Sequence, residues 1–201
     1  MKHLTAISAT ALAAALVLSG CSTDSGDSEP ESTMSGMDHG SMSPTTTDAA
    51  AAHNSADAMF AQMMTPHHEQ AVQMSDIMLA KENLDPQVIQ LAQDIKAAQG
   101  PEIKKMTDWL QAWGEPTKMS GGHEMDGMMT PEDLSTLESA QGAEASRLFL
   151  NQMIAHHEGA IKMAEEEVAN GSNPEAVDLA RTVVASQGAE IQKMQSLLAE
   201  L

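Results

Sequence analysis

The sequence predicts an all-α protein, an antiparallel four-helix bundle built from two repeated helical hairpins. Three observations carry that reading. First, the chain repeats itself: "FAQMMTPHHEQAVQMSDIML" from Phe60 aligns with "FLNQMIAHHEGAIKMAEEEV" from Phe149 at an offset of 89, and "DPQVIQLAQDIKAAQGPEIKKMTDWL" from Asp85 aligns with "NPEAVDLARTVVASQGAEIQKMQSLL" from Asn173 at an offset of 88. Second, Asp85-Pro86 and Asn173-Pro174 punctuate both copies at the same place. An Asp or Asn N-cap followed by proline at the first helical position starts a new helix, so each copy reads helix, break, helix. Third, no stretch alternates with the two-residue period of a half-buried strand. Short connections then place consecutive helices antiparallel.

The elements follow in order. Residues 1–20 read as an export signal: a basic start at Lys2, then the apolar, small-residue run "LTAISATALAAALVLSG", too short and wrongly flanked for a membrane span. It ends in Leu18-Ser19-Gly20-Cys21, which resembles a bacterial lipobox and implies cleavage before Cys21, acylation of that residue and a lipid anchor on the extracytoplasmic side. Cys21 is the only cysteine, so neither a disulfide nor a spare thiolate ligand is expected in the mature protein. Residues 21–53 are rich in Ser, Thr, Asp, Gly and Pro and read as a flexible tether that cannot bury enough apolar surface to fold. The duplicated domain is expected over 54–201: repeat 1 at 54–114, a loop and short helix at 115–142, and repeat 2 at 143–201. Thr130-Pro131-Glu132-Asp133 opens the short helix.

The formal net charge is −19, and removal of Lys2 with the signal takes it to −20. Phosphate recognition needs clustered Lys and Arg, so nucleic acid is excluded as a partner, while cations are attracted. Aromatic residues are nearly absent, with two Phe, two Trp and no Tyr, whereas methionine is abundant at 17 residues. No nucleophile elbow, phosphate loop or haem-attachment motif occurs, and no organic cofactor is expected.

On a helical wheel, Phe149, Met153, His157, Ala160 and Ala164 fall on one face, flanked by Leu150, Ile161 and Val168. His156 and Met163 lie together at the edge of that face, two turns or roughly 10 Å apart. The first copy repeats this with Met64 and His68 central and His67 and Met74 at the edge. Glu69 and Glu158 face solvent. In the second helices the inward stripe holds Gln99, Glu102 and Met106 in one copy, and Gln187, Glu190 and Met194 in the other. Pro101 interrupts a helical hydrogen bond and is expected to rotate the turn that carries Glu102. Inward glutamate is costly unless it is paired or bound to a metal.

A lone inward Met fills a core and a lone inward His is a hydrogen-bonded core residue. Two His-His-Glu motifs, each with Met on neighbouring turns and Glu on the partner helix, point instead to a metal-binding core. Its candidate ligands are Met64, His67, His68, Met74, Glu102, Met106, Met153, His156, His157, Met163, Glu190 and Met194. Two further segments, "MSGMDHGSM" in the tether and "MSGGHEMDGMM" between the repeats, have no core to fill. Met34, Met37, His39, Met42, Met119, His123, Met125, Met128 and Met129 are expected there as weak auxiliary ligands distinct from the core. Thioether suits Cu(I) and imidazole suits copper in both states, whereas zinc has little use for Met and calcium wants only oxygen. Copper is therefore the expected metal, with Cu(I) the better match and silver a chemical mimic. Protons should compete with it as pH falls through the imidazole range near 6.5.

The paired "M..HHE.A..M" and "Q(G)xEIxxM" motifs resemble the domain of unknown function 305 family over Ser55 to Leu201. The resemblance implies a ferritin-like bundle, export and association with copper binding and tolerance, a role that by motif match falls on Met64, His67, His68, Met74, Met153, His156, His157 and Met163. The sequence departs from the ferritin di-iron pattern, because it lacks inward Glu-x-x-His pairs. The expected function is thus a copper-binding lipoprotein, not an enzyme, that buffers the metal or hands it to a partner protein. The alternatives are a redox enzyme with a metal in the bundle and a structural bundle of buried His–Glu pairs.

Overall fold

A computed structural model of the protein describes residues 52–119 and 125–201. The expectations placed on Cys21, Met34, Met37, His39, Met42 and His123 lie outside the described residues. Five helices appear in order: α1 (Ser55–Leu79), α2 (Pro86–Trp113), α3 (Pro131–Ser139), α4 (Gly142–Asn170) and α5 (Pro174–Glu200). Among the described residues there is no strand. No helix among them is long and apolar enough to cross a membrane.

The boundaries follow from local chemistry. The Asn54 side chain accepts from the Ala56 and Asp57 amides at 2.8 and 3.1 Å, and the Asp57 carboxylate accepts from the Asn54 amide at 2.6 Å. Asp85 and Asn173 cap α2 and α5, each followed by proline at the first position. Thr130 and Asp133 form the same reciprocal box at α3. α2 stops at Gly114, whose φ of 73° is left-handed. Pro66 and Pro101 sit inside α1 and α2 without ending them.

The long helices pack as two hairpins, α1 with α2 and α4 with α5, joined chiefly along α1 and α4. The Asn54 side chain, before α1, donates to the Asn170 carbonyl at the end of α4 at 2.9 Å, so these two helices run antiparallel. Gln87 at the start of α2 reaches Glu200 at the end of α5, with the same consequence. Fully buried Asp57 strengthens the α1 end: it accepts from the Ser172 and Asn173 amides at 3.0 and 2.9 Å and from the Ser172 hydroxyl at 2.9 Å.

The apolar core is in two parts. One cluster gathers Met74, Met78, Val88, Ile95, Phe149, Met153 and Met194; the other gathers Phe60, Met64, Met106, Leu110, Ala160 and Val183. The repeat exchanges them: Phe60 and Phe149, Met64 and Met153, Ile95 and Val183, and Met106 and Met194 fall in opposite clusters. Along each long helix the change of cluster falls at polar residues: His67-His68, Gln99 to Glu102, His156-His157 and Gln187 to Glu190. Val168, expected beside the apolar face, is exposed near the end of α4, beyond the reach of either cluster.

The inter-repeat segment 125–129 is seated on α1 and α4. Gln70 of α1 donates to the Met129 carbonyl at 2.9 Å and accepts from the Met129 amide at 2.7 Å. At the equivalent position of α4 stands Gly159, against which the Asp126 carbonyl and Gly127 lie so closely that a Cβ would collide with them. Gly127 itself has φ +82° and abuts Ala155 and His156. The expectation that this Met-rich loop is separate from the core is therefore corrected for its described part: Met129 packs against one apolar cluster.

Two glycine replacements separate these effects. Gly188 lies inside α5 with nothing within 4 Å of the place a Cβ would take, so Gly188→Ala should stabilise the fold by roughly 0.5–1 kcal/mol. Gly159→Ala must push the Asp126 carbonyl away and should destabilise it by roughly 1–3 kcal/mol. Urea denaturation of both variants against the parent checks the opposite signs.

Candidate metal centre

The polar layer that divides the core is built around four histidines, and all four are fully buried. The wheel places His67 and His156 at the edge of the apolar face. Instead they meet where α1 and α4 cross, with ring centroids 3.7 Å apart and planes tilted by 42°. An edge position becomes an interior one because the apolar face of each helix is wide enough to contact two neighbours, its hairpin partner and the other repeat's first helix. The rings of His156 and His157 follow at 6.3 Å.

The two flanking histidines are held identically. His68 Nε2 lies 2.8 Å from a Glu102 oxygen and His157 Nε2 lies 2.6 Å from a Glu190 oxygen. Pro101 does not disturb the first pairing. The glutamates are partly exposed, at 19% and 22%, and sit at the rim of the layer rather than in the core. An ionised carboxylate can only accept, so Nε2 carries a proton, and in a neutral ring that leaves the lone pair on Nδ1. That Nδ1 is buried and without a hydrogen-bond partner in both His68 and His157. His67 Nε2 approaches the Asp126 carbonyl at 3.4 Å, which again leaves Nδ1 unpartnered, and neither nitrogen of His156 has a partner. Gln99 and Gln187 add one unpartnered amide oxygen each. Buried polar atoms are nearly always satisfied, and each exception costs about 1–3 kcal/mol. Here the orphans share one layer, and each imidazole supplies an electron pair.

Burial holds the His67 ring down to about 3, with the neighbouring His68 adding to the effect. Burial likewise pushes His156 well below the usual imidazole range, reinforced by His67, His157 and His68. These two rings therefore stay neutral well below 6.5.

The methionines divide by cluster. Met64 and Met106 lie in one and Met74, Met153 and Met194 in the other, all fully buried. Met64 and Met153 stand one turn before His68 and His157 on their helices. Met163 is only partly buried and lies toward the outside of its cluster. Met119, Met125, Met128 and Met129 are half-buried, and Glu69 and Glu158 are exposed. Among the described residues no group of three or more His, Cys, Asp or Glu side chains forms a ready-made metal cage.

Two features escaped the sequence. One is the Asp126 carbonyl seated by Gly159, whose signal was the change from Gln70 in the first copy. The other is Glu167, hidden in the run "AEEEV", which reads as a solvated face. It is 1% exposed with neither carboxyl oxygen meeting a donor. Burial, and then the adjacent Asp57 carboxylate, push its carboxyl up to about 8. Burial also raises Asp57, but the Asn54 and Asn173 amides, Glu167 and Ser172 together hold it below its usual value.

These shifts fix the shape of a stability profile for the metal-free protein. His67 and His156 bind protons more weakly folded than unfolded, so stability is complete above 6.5 and is lost as pH falls below it, for His67 toward about 3. Glu167 binds its proton more tightly folded, so its contribution is complete below 4.5 and is lost as pH rises to about 8. Each group sets a limiting slope of about 1.4 kcal/mol per pH unit. A maximum near pH 6.5 is expected in denaturant midpoints, and Glu167→Gln should flatten the alkaline limb while leaving the acid limb intact.

The chain matches the family described as "Domain of unknown function (DUF305)" over residues 57–198. Comparison with curated proteins finds no match. Among solved structures, a DUF305 protein of Streptomyces coelicolor is 37% identical over 72% of this chain and 93% of its own, with a TM-score of 0.69. A DUF305 fragment from Deinococcus radiodurans is 32% identical over 74% and 98%, with a TM-score of 0.68. CopM in its Cu(II)-bound form is 36% identical over 72% and 96%, with a TM-score of 0.62, and CopM has also been solved with Cu(I) and with silver. With its duplicated His-His-Glu hairpins brought together on one buried layer, this chain belongs to the DUF305 family.

Proposed function

We propose that the protein is an exported, lipid-anchored copper-binding protein that takes up Cu(I), and Cu(II) as well, to buffer the metal or hand it to a partner protein. The observation that carries this reading is the set of buried, unpartnered imidazole nitrogens on His67, His68, His156 and His157. A structural role for the His–Glu pairs accounts for one nitrogen of His68 and His157 and leaves every orphan unexplained. The donor set fits copper: imidazoles at the layer, with the thioethers of Met64 and Met153 one turn away on the same helices. Glu102 and Glu190 act through the rings they orient, fixing the tautomer that presents Nδ1. The copper- and silver-bound forms of CopM support the same metal class.

The antiparallel contacts of α1 with α4 and of α2 with α5 support a ferritin-like four-helix bundle. The leader and Leu18-Ser19-Gly20-Cys21 support export and acylation at Cys21. The Met- and His-bearing segments Met34 to Met42 and Met119 to Met129 would gather the ion before the core takes it. No catalytic step is assigned to the layer.

Competition titration with copper tests the central claim. The double change His67→Ala, His156→Ala should abolish core binding while the helices persist by circular dichroism. Glu102→Gln, Glu190→Gln should weaken binding roughly 10- to 100-fold, the usual effect of releasing an orienting partner. A folded His67→Ala, His156→Ala variant that binds as tightly as the parent would place the metal elsewhere. Fractionation after Cys21→Ala should shift the protein out of the membrane fraction.

A further inference from the structure

A second donor set lies at the end of the molecule where α1 begins and α4 finishes. A pocket of about 250 Å³ opens there, and its lining includes Met59, Met63, Met163, Glu166 and Glu167. Met59 and Met63 are one turn apart on α1, and Met163 and Glu167 are one turn apart on α4, so each pair shares a face. The residues come from two antiparallel helices fixed to each other by Asn54–Asn170 and by the Asp57 contacts with Ser172 and Asn173. Neither Met59 nor Met63 belongs to the repeated motif: the equivalent positions in the second copy are Leu148 and Gln152.

We propose that this pocket is a separate binding site for a soft monovalent cation, Cu(I) or Ag(I), held by the thioethers of Met59, Met63 and Met163 with the Glu167 carboxyl as the fourth ligand, its proton released to solvent on binding. Three observations converge on it. Three thioethers line one small pocket, and thioether is a donor selective for soft ions. Met59 is 45% exposed, one of two exposed large apolar side chains among the described residues, which gives an arriving ion a first contact. Glu167 lines the same pocket, is 1% exposed, and has two carboxyl oxygens with no donor. Burial beside the Asp57 carboxylate favours the protonated Glu167 carboxyl, and a bound cation would take the place of that proton. Sodium or calcium could displace the proton too, but neither has a use for sulfur. The site stands apart from the imidazole layer, and its ligands include none of the four histidines.

Silver titration of the full chain, with methionine methyls carrying a carbon-13 label, reads the two sites independently. The Met59, Met63 and Met163 methyl resonances, assigned by single Met→Leu changes, should move together and saturate at one equivalent. They should do the same in His67→Ala, His156→Ala, where core binding is lost. The triple change Met59→Leu, Met63→Leu, Met163→Leu nearly conserves volume, so the fold should survive, and it should lose one equivalent of Ag(I) while the imidazole signals still respond. Glu167→Gln should weaken the pocket about tenfold. The proposal is overturned if the three methyls do not move, or if the folded triple variant binds as many equivalents as the parent. A response of these methyls that vanishes in the histidine variant also overturns it, because the thioethers would then only report on the core. Loss of imidazole response with an intact methyl response would remove the core reading and leave the pocket standing.

Discussion

Four buried imidazoles enclosed between antiparallel helices set the terms for the rest of this structure. Imidazole is too polar to bury without partners, and burial makes the central pair, His67 and His156, too weakly basic to be kept by charge. The layer therefore divides the apolar core into two clusters instead of blending into one. Each cluster must then be complete by itself, and methionine suits that task because its flexible side chain fills irregular space next to a polar layer. The same residues that finish the packing carry the sulfur, so core filling and ligand supply are not competing explanations for Met64 or Met153.

Duplication supplies the geometry with very little extra information. His67 and His156 occupy the same position in the two copies and pack ring against tilted ring. Two copies related in this way meet at an approximate two-fold axis, where any residue encounters its own counterpart. The flanking pairs, His68 with Glu102 and His157 with Glu190, repeat at 2.8 and 2.6 Å on either side. What is not duplicated is informative as well. Gln70 grips the inter-repeat loop by its backbone while Gly159 makes room for it.

The sequence made the helices and the inward residues legible because period and capping are local properties. The Asp85-Pro86 and Asn173-Pro174 caps appear as expected in α2 and α5. The pairing of His68 with Glu102 was visible as two inward stripes, even across Pro101. The wheel could not show that His67 and His156 meet each other, since one helix at a time carries no record of which neighbour covers its edge. Glu167 was illegible for a related reason: it lies in a run of three glutamates, and the neighbour that lies against it in the buried end, Asp57, comes from a distant part of the chain. The seat of residues 125–129 depended on backbone approach, which leaves only a glycine as its trace.

The exchange of the two core clusters between copies bears on how such a chain could arise. Each cluster takes residues from both hairpins, for example Met74 and Phe149 in one and Met64 and Val183 in the other. One hairpin alone therefore owns half of each and encloses neither. An ancestral single-copy chain would have been obliged to pair with itself, and its axis would have carried one histidine type twice. Carrying both halves on one chain frees them to diverge, so Gln and Gly can face the same loop from equivalent positions. The asymmetry around residues 70 and 159 is thus a feature that a homodimer encoded by one short gene could never have fixed.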